Sequence, residues 1–217
     1  LRWSIAFFIL LPLAAWVLRR GSGLWSHWRR FALLGLLGVG AYNALQYLAL
    51  QTSTPLNVTL VAASGPFWTL LIGALFFHAP VRGRQMTSAA LSIAGVLLVL
   101  TRGEITQIQA LRFVPGDLFM LLATASWSWY SWLLSRRAEP EAIRSDWAAF
   151  LLGQVVFGLG WSGALTALEW SVSDAHITWG WPLLSTLAFV AIGPAVLAYR
   201  CWGLGIAKAG PTLAGFF

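Results

Sequence analysis

The chain has 217 residues, of which 59% are hydrophobic and 10% charged, with a mean hydropathy of +0.74. A soluble domain averages about 45–50% apolar and about 25% charged residues, so this sequence lacks the charge to coat a water-facing surface, and its hydrophobicity excludes disorder. The net charge is +7, but the basic residues fall in short gaps between apolar runs, which is the pattern of membrane topology and not of a nucleic-acid partner. One cysteine makes no internal disulfide and no Cys-based metal site. The composition predicts an all-α, multi-pass membrane protein.

Seven apolar runs follow one another, at Trp3–Leu18, Phe31–Leu50, Asn57–Phe77, Thr87–Leu100, Gly116–Leu134, Trp147–Leu168 and Pro182–Ala207, and an eighth opens at Pro211. Most approach the roughly 20 residues that a spanning helix needs. Thr87–Leu100 is short and is expected to borrow Gln85 and Met86. None alternates apolar with polar residues as a membrane strand does. Arg19, Arg20, Arg29, Arg30, Arg82, Arg84, Arg136, Arg137, Arg144 and Lys208 fall in alternate gaps, ten basic residues against two, Arg102 and Arg112, in the other set. The positive-inside rule then puts loops 19–30, 78–86, 135–146 and 203–210 in the cytoplasm, across a plasma (inner) membrane. The least apolar stretch, 101–115, is the expected boundary between residues 1–100 and 116–217. The chain opens at Leu1 and stops in an apolar segment at Phe217, as a piece of a longer protein does. With one further span ahead of Trp3, each half holds five spans, and an odd number inverts the second half relative to the first.

The stretch Tyr42-Asn-Ala-Leu-Gln-Tyr-Leu-Ala-Leu-Gln-Thr-Ser-Thr-Pro-Leu-Asn-Val-Thr, followed by Ser64-Gly-Pro-Phe and Gly95-Val-Leu-Leu, resembles the EamA type of the drug/metabolite transporter superfamily. Gly116-Asp-Leu-Phe-Met-Leu-Leu-Ala-Thr-Ala-Ser-Trp-Ser-Trp-Tyr is similar to the opening helix of that family's second repeat, and Ala198-Tyr-Arg-Cys-Trp to a later segment that ends in Gly210-Pro211. The resemblance implies a ten-helix bundle of two inverted five-helix repeats. This chain would hold about seven to eight of those helices: a first repeat at 1–100 lacking its first helix, and a second at 116–217 truncated at its C-terminal end. One departure is plain: His78-Ala-Pro-Val-Arg82 stands where the family often carries an acid.

Candidate site residues come from polar groups at depth. Asn43, Gln46 and Tyr47 share a helix face at i, i+3 and i+4, and Trp127, Tyr130 and Ser131 make a second such face. Each reads either as a solute-lining wall or as interhelical glue. Ser64-Gly65-Pro66 and Pro194 fall mid-span, where proline removes a backbone bond and makes a hinge or a packing bend. Tyr199 and Arg200 sit towards a span end. Gly153, Gly158, Gly160 and Gly163 make a small-residue face suited to close helix packing. Asp117 opens its span, where a helix dipole favours an acid. Trp25, Trp28, Trp147, Trp170, Trp179 and Trp181 flank spans as interfacial anchors. No phosphate loop, no metal-spaced His pair among His27, His78 and His176, and no Gly-x-Ser-x-Gly elbow is found, so an enzyme, a metal site and a cofactor are not expected.

The resulting expectation is a transporter for a small metabolite, which the resemblance narrows to an amino acid or a related compound, working by alternating access. Its lining is Asn43, Gln46, Tyr47, Ser64, Trp127, Tyr130 and Tyr199, and its hinges are Pro66 and Pro194. Its partners are the solute and the lipid bilayer, and a homo-oligomer stays open. The rival reading is a membrane scaffold or assembly subunit whose polar faces only hold helices together.

Overall fold

A bilayer leaves backbone N–H and C=O groups no water to bond, so spanning segments must satisfy them internally, and helices do so within one segment. The computed structural model describes residues 1–100, 114–172 and 177–216. The expected boundary loop at 101–115 therefore lies almost wholly outside the described residues. In chain order the helices are α1 (Arg2–Ala14), continued by a 3-10 turn at Ala15–Leu18; α2 (Trp28–Leu34), continued by a π-helical stretch at Gly35–Ala41; α3 (Tyr42–Thr52); α4 (Pro55–Ala62); α5 (Gly65–Phe77); α6 (Gly83–Leu100); α7 (Pro115–Ser135); the short α8 (Glu141–Ser145); α9 (Trp147–Val172); α10 (Trp181–Val190), continued by a second π-helical stretch at Ala191–Leu197; and α11 (Ala198–Ala214). The fold is all-α, as the composition predicts. Among the described residues, four continuous stretches, Trp28–Thr52, Pro55–Phe77, Trp147–Val172 and Trp181–Ala214, are long and apolar enough to cross a membrane.

The boundaries carry physical information. α6 starts at Gly83, and so takes in Gln85 and Met86 and reaches 18 residues. The Gln85 side chain accepts from the Arg82 amide at 2.8 Å, which fixes the start of that helix. The run expected as Asn57–Phe77 breaks between α4 and α5: Pro66 supplies no N–H there, the Ser64 hydroxyl donates to the Val61 carbonyl at 2.6 Å, and the Ser92 hydroxyl donates to the Ala63 carbonyl at 2.9 Å. At the far end Gly210 takes φ 78°, a left-handed backbone that breaks the helix just ahead of Pro211, where the eighth apolar run was expected to open.

The chain splits into two compact units, each drawing on both halves of the sequence: Leu1–Gly40 with Arg136–Lys208, and Ala41–Ser135 with Ala209–Phe217. In the first, Trp3, Ala6, Leu10 and Ala14 recur every three or four residues along α1, forming one buried stripe, and Val17 continues it. α1 packs on α9 and on the second π-helical stretch. α2 and its π-helical continuation cross α9 where side chains are missing. A Cβ on Gly35 would lie 2.7 Å from the Gln154 carbonyl oxygen and the Gly158 nitrogen, and the Val39 side chain fills the space a Cβ on Gly158 would need. Gly153 faces Phe31 and Leu24 in the same way. Gly160 and Gly163 meet nothing within 4 Å, so the small-residue face expected over four glycines is a close contact at Gly153 and Gly158 alone. Asp146 opens α9: one carboxylate oxygen accepts from the amides of Ala148 (3.0 Å) and Ala149 (3.2 Å), the other from the Trp16 indole (3.1 Å).

In the second unit α7 is the axis on which α3, α4 and α5 pack. Ala49, Val58, Val61, Met120 and Ala123 form its apolar core, flanked by Tyr42, Leu45 and Phe119. The end of α3 meets the start of α7 over Gly116, which leaves room for the Ala49 carbonyl, Thr52 and Ser53.

Two substitutions test this packing. Gly158→Leu must push α9 off Val39, and overpacking of this kind costs about 1–3 kcal/mol, whereas Gly160→Leu enters open space and leaves stability nearly unchanged. Thermal unfolding of both variants in detergent reads the difference, and equal melting temperatures contradict the crossing. Asp146→Ala removes the α9 cap at a cost of about 1–2 kcal/mol, while Asp146→Asn keeps a capping oxygen and recovers most of it on the same assay.

Candidate functional site

α7 is built to hold polar groups inside an apolar bundle. Pro115 sits at the first turn of the helix, and Asp117 folds back to accept the Val114 amide at 3.1 Å. From there a buried stripe runs along one face at a spacing of seven, four and three residues: Asp117, Thr124, Ser128 and Ser131. Two of its hydroxyls bond back to their own helix, Thr124 to the Met120 carbonyl and Ser131 to the Trp127 carbonyl, both at 2.8 Å. This local bonding lets a hydroxyl be buried without desolvation loss. The others reach neighbouring helices. The Ser53 hydroxyl at the end of α3 donates to the second Asp117 oxygen at 2.8 Å, and the Thr69 hydroxyl on α5 donates to Ser128 at 3.2 Å. The Trp132 indole donates to the Thr69 carbonyl at 2.8 Å, in a gap that Gly73 leaves open, and stacks on Phe77 with ring centroids 5.2 Å apart.

Beside this stripe lies an aromatic group. Tyr42 on α3 meets Trp127 on α7 with centroids 4.8 Å apart, and Trp127 meets Tyr130 at 5.1 Å, both pairs tilted by about 40°. Tyr130 is 2% exposed, while Trp127 is half-buried. A half-buried indole between two phenol rings offers a flat, polarisable face to an apolar or cationic group. Trp68 adds a buried indole N–H with no partner among the described residues.

Of the seven residues expected to line a site, six lie in the second unit and Tyr199 lies in the first. Trp127 and Tyr130 come together as the i, i+3 spacing requires. Asn43 is 6% exposed and Gln46 half-buried, whereas Tyr47 is 53% exposed, so the face they share turns from the core to the surface. Ser64 is half-buried at the α4–α5 break with its hydroxyl on Val61. Pro66 is buried in the first turn of α5, and Pro194 stands inside the second π-helical stretch. Tyr199 is buried: its ring meets Trp3 edge-on at 5.1 Å, and its hydroxyl donates to the Gly38 carbonyl inside the first π-helical stretch. Arg200 lies over the Trp147 ring at 4.4 Å, an interfacial cation–π pair. Two groups escaped the sequence reading. Tyr42 precedes the polar face by one residue and belongs to the Tyr42, Leu45, Ala49 stripe at i, i+3, i+7. Thr69 and Ser128 looked like isolated small polar residues, although the Thr124, Ser128, Ser131 spacing carries the signal.

The EamA-like transporter family matches residues 1–101. Over most of its length the chain is similar to an uncharacterized transporter, YyaM, of Bacillus subtilis (strain 168), at 26% identity over 188 residues, covering 86% of this chain and 60% of that protein. A second relative, an uncharacterized transporter of Archaeoglobus fulgidus, is 26% identical over 215 residues, covering 95% of this chain and 70% of its own. The chain thus spans about 60% of the length of the Bacillus protein. A solved crystal structure shares the fold with a TM-score of 0.64 at 22% identity, over 99% of this chain and 70% of the other. With a family match over its N-terminal part and transporter-named relatives along most of its length, the chain is similar to EamA-like transporters.

Proposed function

We propose that the protein moves a small metabolite, an amino acid or a related compound, across a plasma (inner) membrane by alternating access, and that α7 carries the solute-facing surface. The observation behind this reading is the Tyr42, Trp127 and Tyr130 group, set beside buried Asn43 on the helix pair that forms the centre of its unit. Transporter-named relatives support the class of activity. In this reading Asn43, Gln46, Tyr47, Ser64 and Tyr199 complete the lining. The α4–α5 break at Pro66 and the π-helical stretch at Pro194 absorb the backbone change. The arrangement of 1–100 and 116–217 as inverted repeats, with loops 19–30, 78–86, 135–146 and 203–210 cytoplasmic, is part of the same proposal. Asp117 accepts from Ser53 and the Val114 amide, and serves in this reading as a structural cap at the start of α7.

One observation favours a scaffold instead. The Ser53–Asp117 and Thr69–Ser128 bonds join helices on their own, as interhelical glue does.

Flux separates the two. Full-length protein in liposomes should move at least one compound from a panel of radiolabelled amino acids and related metabolites above empty vesicles. Trp127→Ala should lower that flux about tenfold in protein that unfolding in detergent shows to be folded, since loss of a stacked ring costs a solute up to about 1.5 kcal/mol. Asn43→Ala should do likewise. Absence of flux across the panel, or variants that lose only stability, supports the scaffold and rejects the carrier.

A further inference from the structure

Five arginines of the first unit lie on two neighbouring segments of one structured surface. Arg19 and Arg20 belong to the connection between the Ala15–Leu18 turn and α2, Arg29 to the first turn of α2, and Arg136 and Arg137 to the segment that leads into α8, and all five are exposed. The two segments lie side by side: the Arg30 guanidinium donates to the Arg136 carbonyl at 2.9 Å, and Gly23 packs against Pro140. The connection is folded and not loose. The Trp25 indole donates to the Leu18 carbonyl at 3.0 Å, the Leu24 amide to the Ser22 hydroxyl at 3.2 Å and the Ser26 hydroxyl to the Gly23 carbonyl at 2.9 Å, while Leu24 is fully buried.

Most of the acids nearby are already engaged. Glu139 is fully buried with its carboxylate 2.8 Å from Arg30 and 3.8 Å from Arg144. Asp146 holds Trp16 and the start of α9. Glu141 is the exposed acid beside them. Arg19, Arg20 and Arg137 have no carboxylate partner among the described residues. Trp25 and Trp28 are exposed next to them, and Arg29 lies over the Trp28 ring at 5.6 Å. Exposed indoles place a segment at headgroup depth, and unneutralised guanidinium groups at that depth meet phosphate oxygens, which they bind by paired N–H donors.

We propose that this surface is a binding site for anionic phospholipid headgroups, formed by Arg19, Arg20, Arg29, Arg136 and Arg137 and levelled in the interface by Trp25 and Trp28. The proposal rests on the membrane fold alone and is independent of what, if anything, the protein carries.

The test uses full-length protein in phosphatidylcholine vesicles, with spin-labelled phosphatidylglycerol and spin-labelled phosphatidylcholine as alternative probes of lipid held at the protein surface. Wild type should retain phosphatidylglycerol over phosphatidylcholine by about fivefold or more, the factor expected of a single basic residue at an anionic surface. Arg19→Gln/Arg20→Gln/Arg29→Gln/Arg136→Gln/Arg137→Gln, which removes every arginine of the surface, should bring the ratio close to one. Arg82→Gln/Arg84→Gln, which removes two exposed arginines of the other unit, should leave it unchanged. Raising the ionic strength should lower the wild-type ratio, a readout that needs no variant. Equal retention of the two lipids by wild type, a ratio insensitive to salt, or an equal fall in both variants overturns the proposal.

Discussion

Unsatisfied backbone groups in lipid govern this structure more than any side-chain contact does. At two places where the regular hydrogen-bond pattern fails, a side chain reaches a backbone carbonyl nearby. At the α4–α5 break Ser64 and Ser92 reach the Val61 and Ala63 carbonyls. Around the first π-helical stretch the Trp161 indole donates to the Ala32 carbonyl at 3.1 Å, and the Tyr199 hydroxyl donates to the Gly38 carbonyl. An unpaired carbonyl in hydrocarbon costs several kcal/mol, so these donors set where the chain is allowed to bend. The same rule explains the hydroxyls of α7, which either bond their own helix or pair with Ser53 and Thr69 on neighbours.

Helix existence was legible because composition and run length are global signals that lipid leaves little freedom to override. The apolar runs, the extension of α6 to Gln85 and Met86, and the break ahead of Pro211 followed from hydropathy and proline chemistry. The two π-helical stretches were not legible. A run such as Gly35-Leu-Leu-Gly-Val-Gly reads as plain helix, and the donors that Tyr199 and Trp161 supply to the Gly38 and Ala32 carbonyls come from more than a hundred residues away in sequence. The glycine face failed by half for a related reason. Four small residues on one helix were visible, but which of them a neighbour would approach depended on where Gly35 and Val39 cross α9.

The site was legible in part. The Trp127 and Tyr130 pairing is a matter of helical spacing and needs no tertiary information. Tyr42 required knowing that α3 presents its 42, 45, 49 stripe to α7, whereas the polar residues had drawn the reading to Asn43, Gln46 and Tyr47, the last of which is turned outward. Tyr199, towards the end of its run, is buried with its hydroxyl on the Gly38 carbonyl of its own unit, a partner that spacing along one helix does not reveal. The compact units cut across the proposed repeat halves, since each takes segments from both. Repetition in sequence and compactness in space are different divisions of this chain.

Whether the aromatic face of α7 meets water inside the membrane is the question on which the carrier account turns. The chain has a single cysteine, Cys201, so Cys201→Ser gives a background for thiol labelling of the full-length protein in vesicles. On that background Trp127→Cys should react with a membrane-impermeant thiol reagent, and Leu122→Cys, exposed on the same helix but away from the aromatic group, should not. A Trp127→Cys protein as inert as the Leu122→Cys protein would mean that lipid or solid packing covers the rings, and the proposed solute path through α7 would be lost.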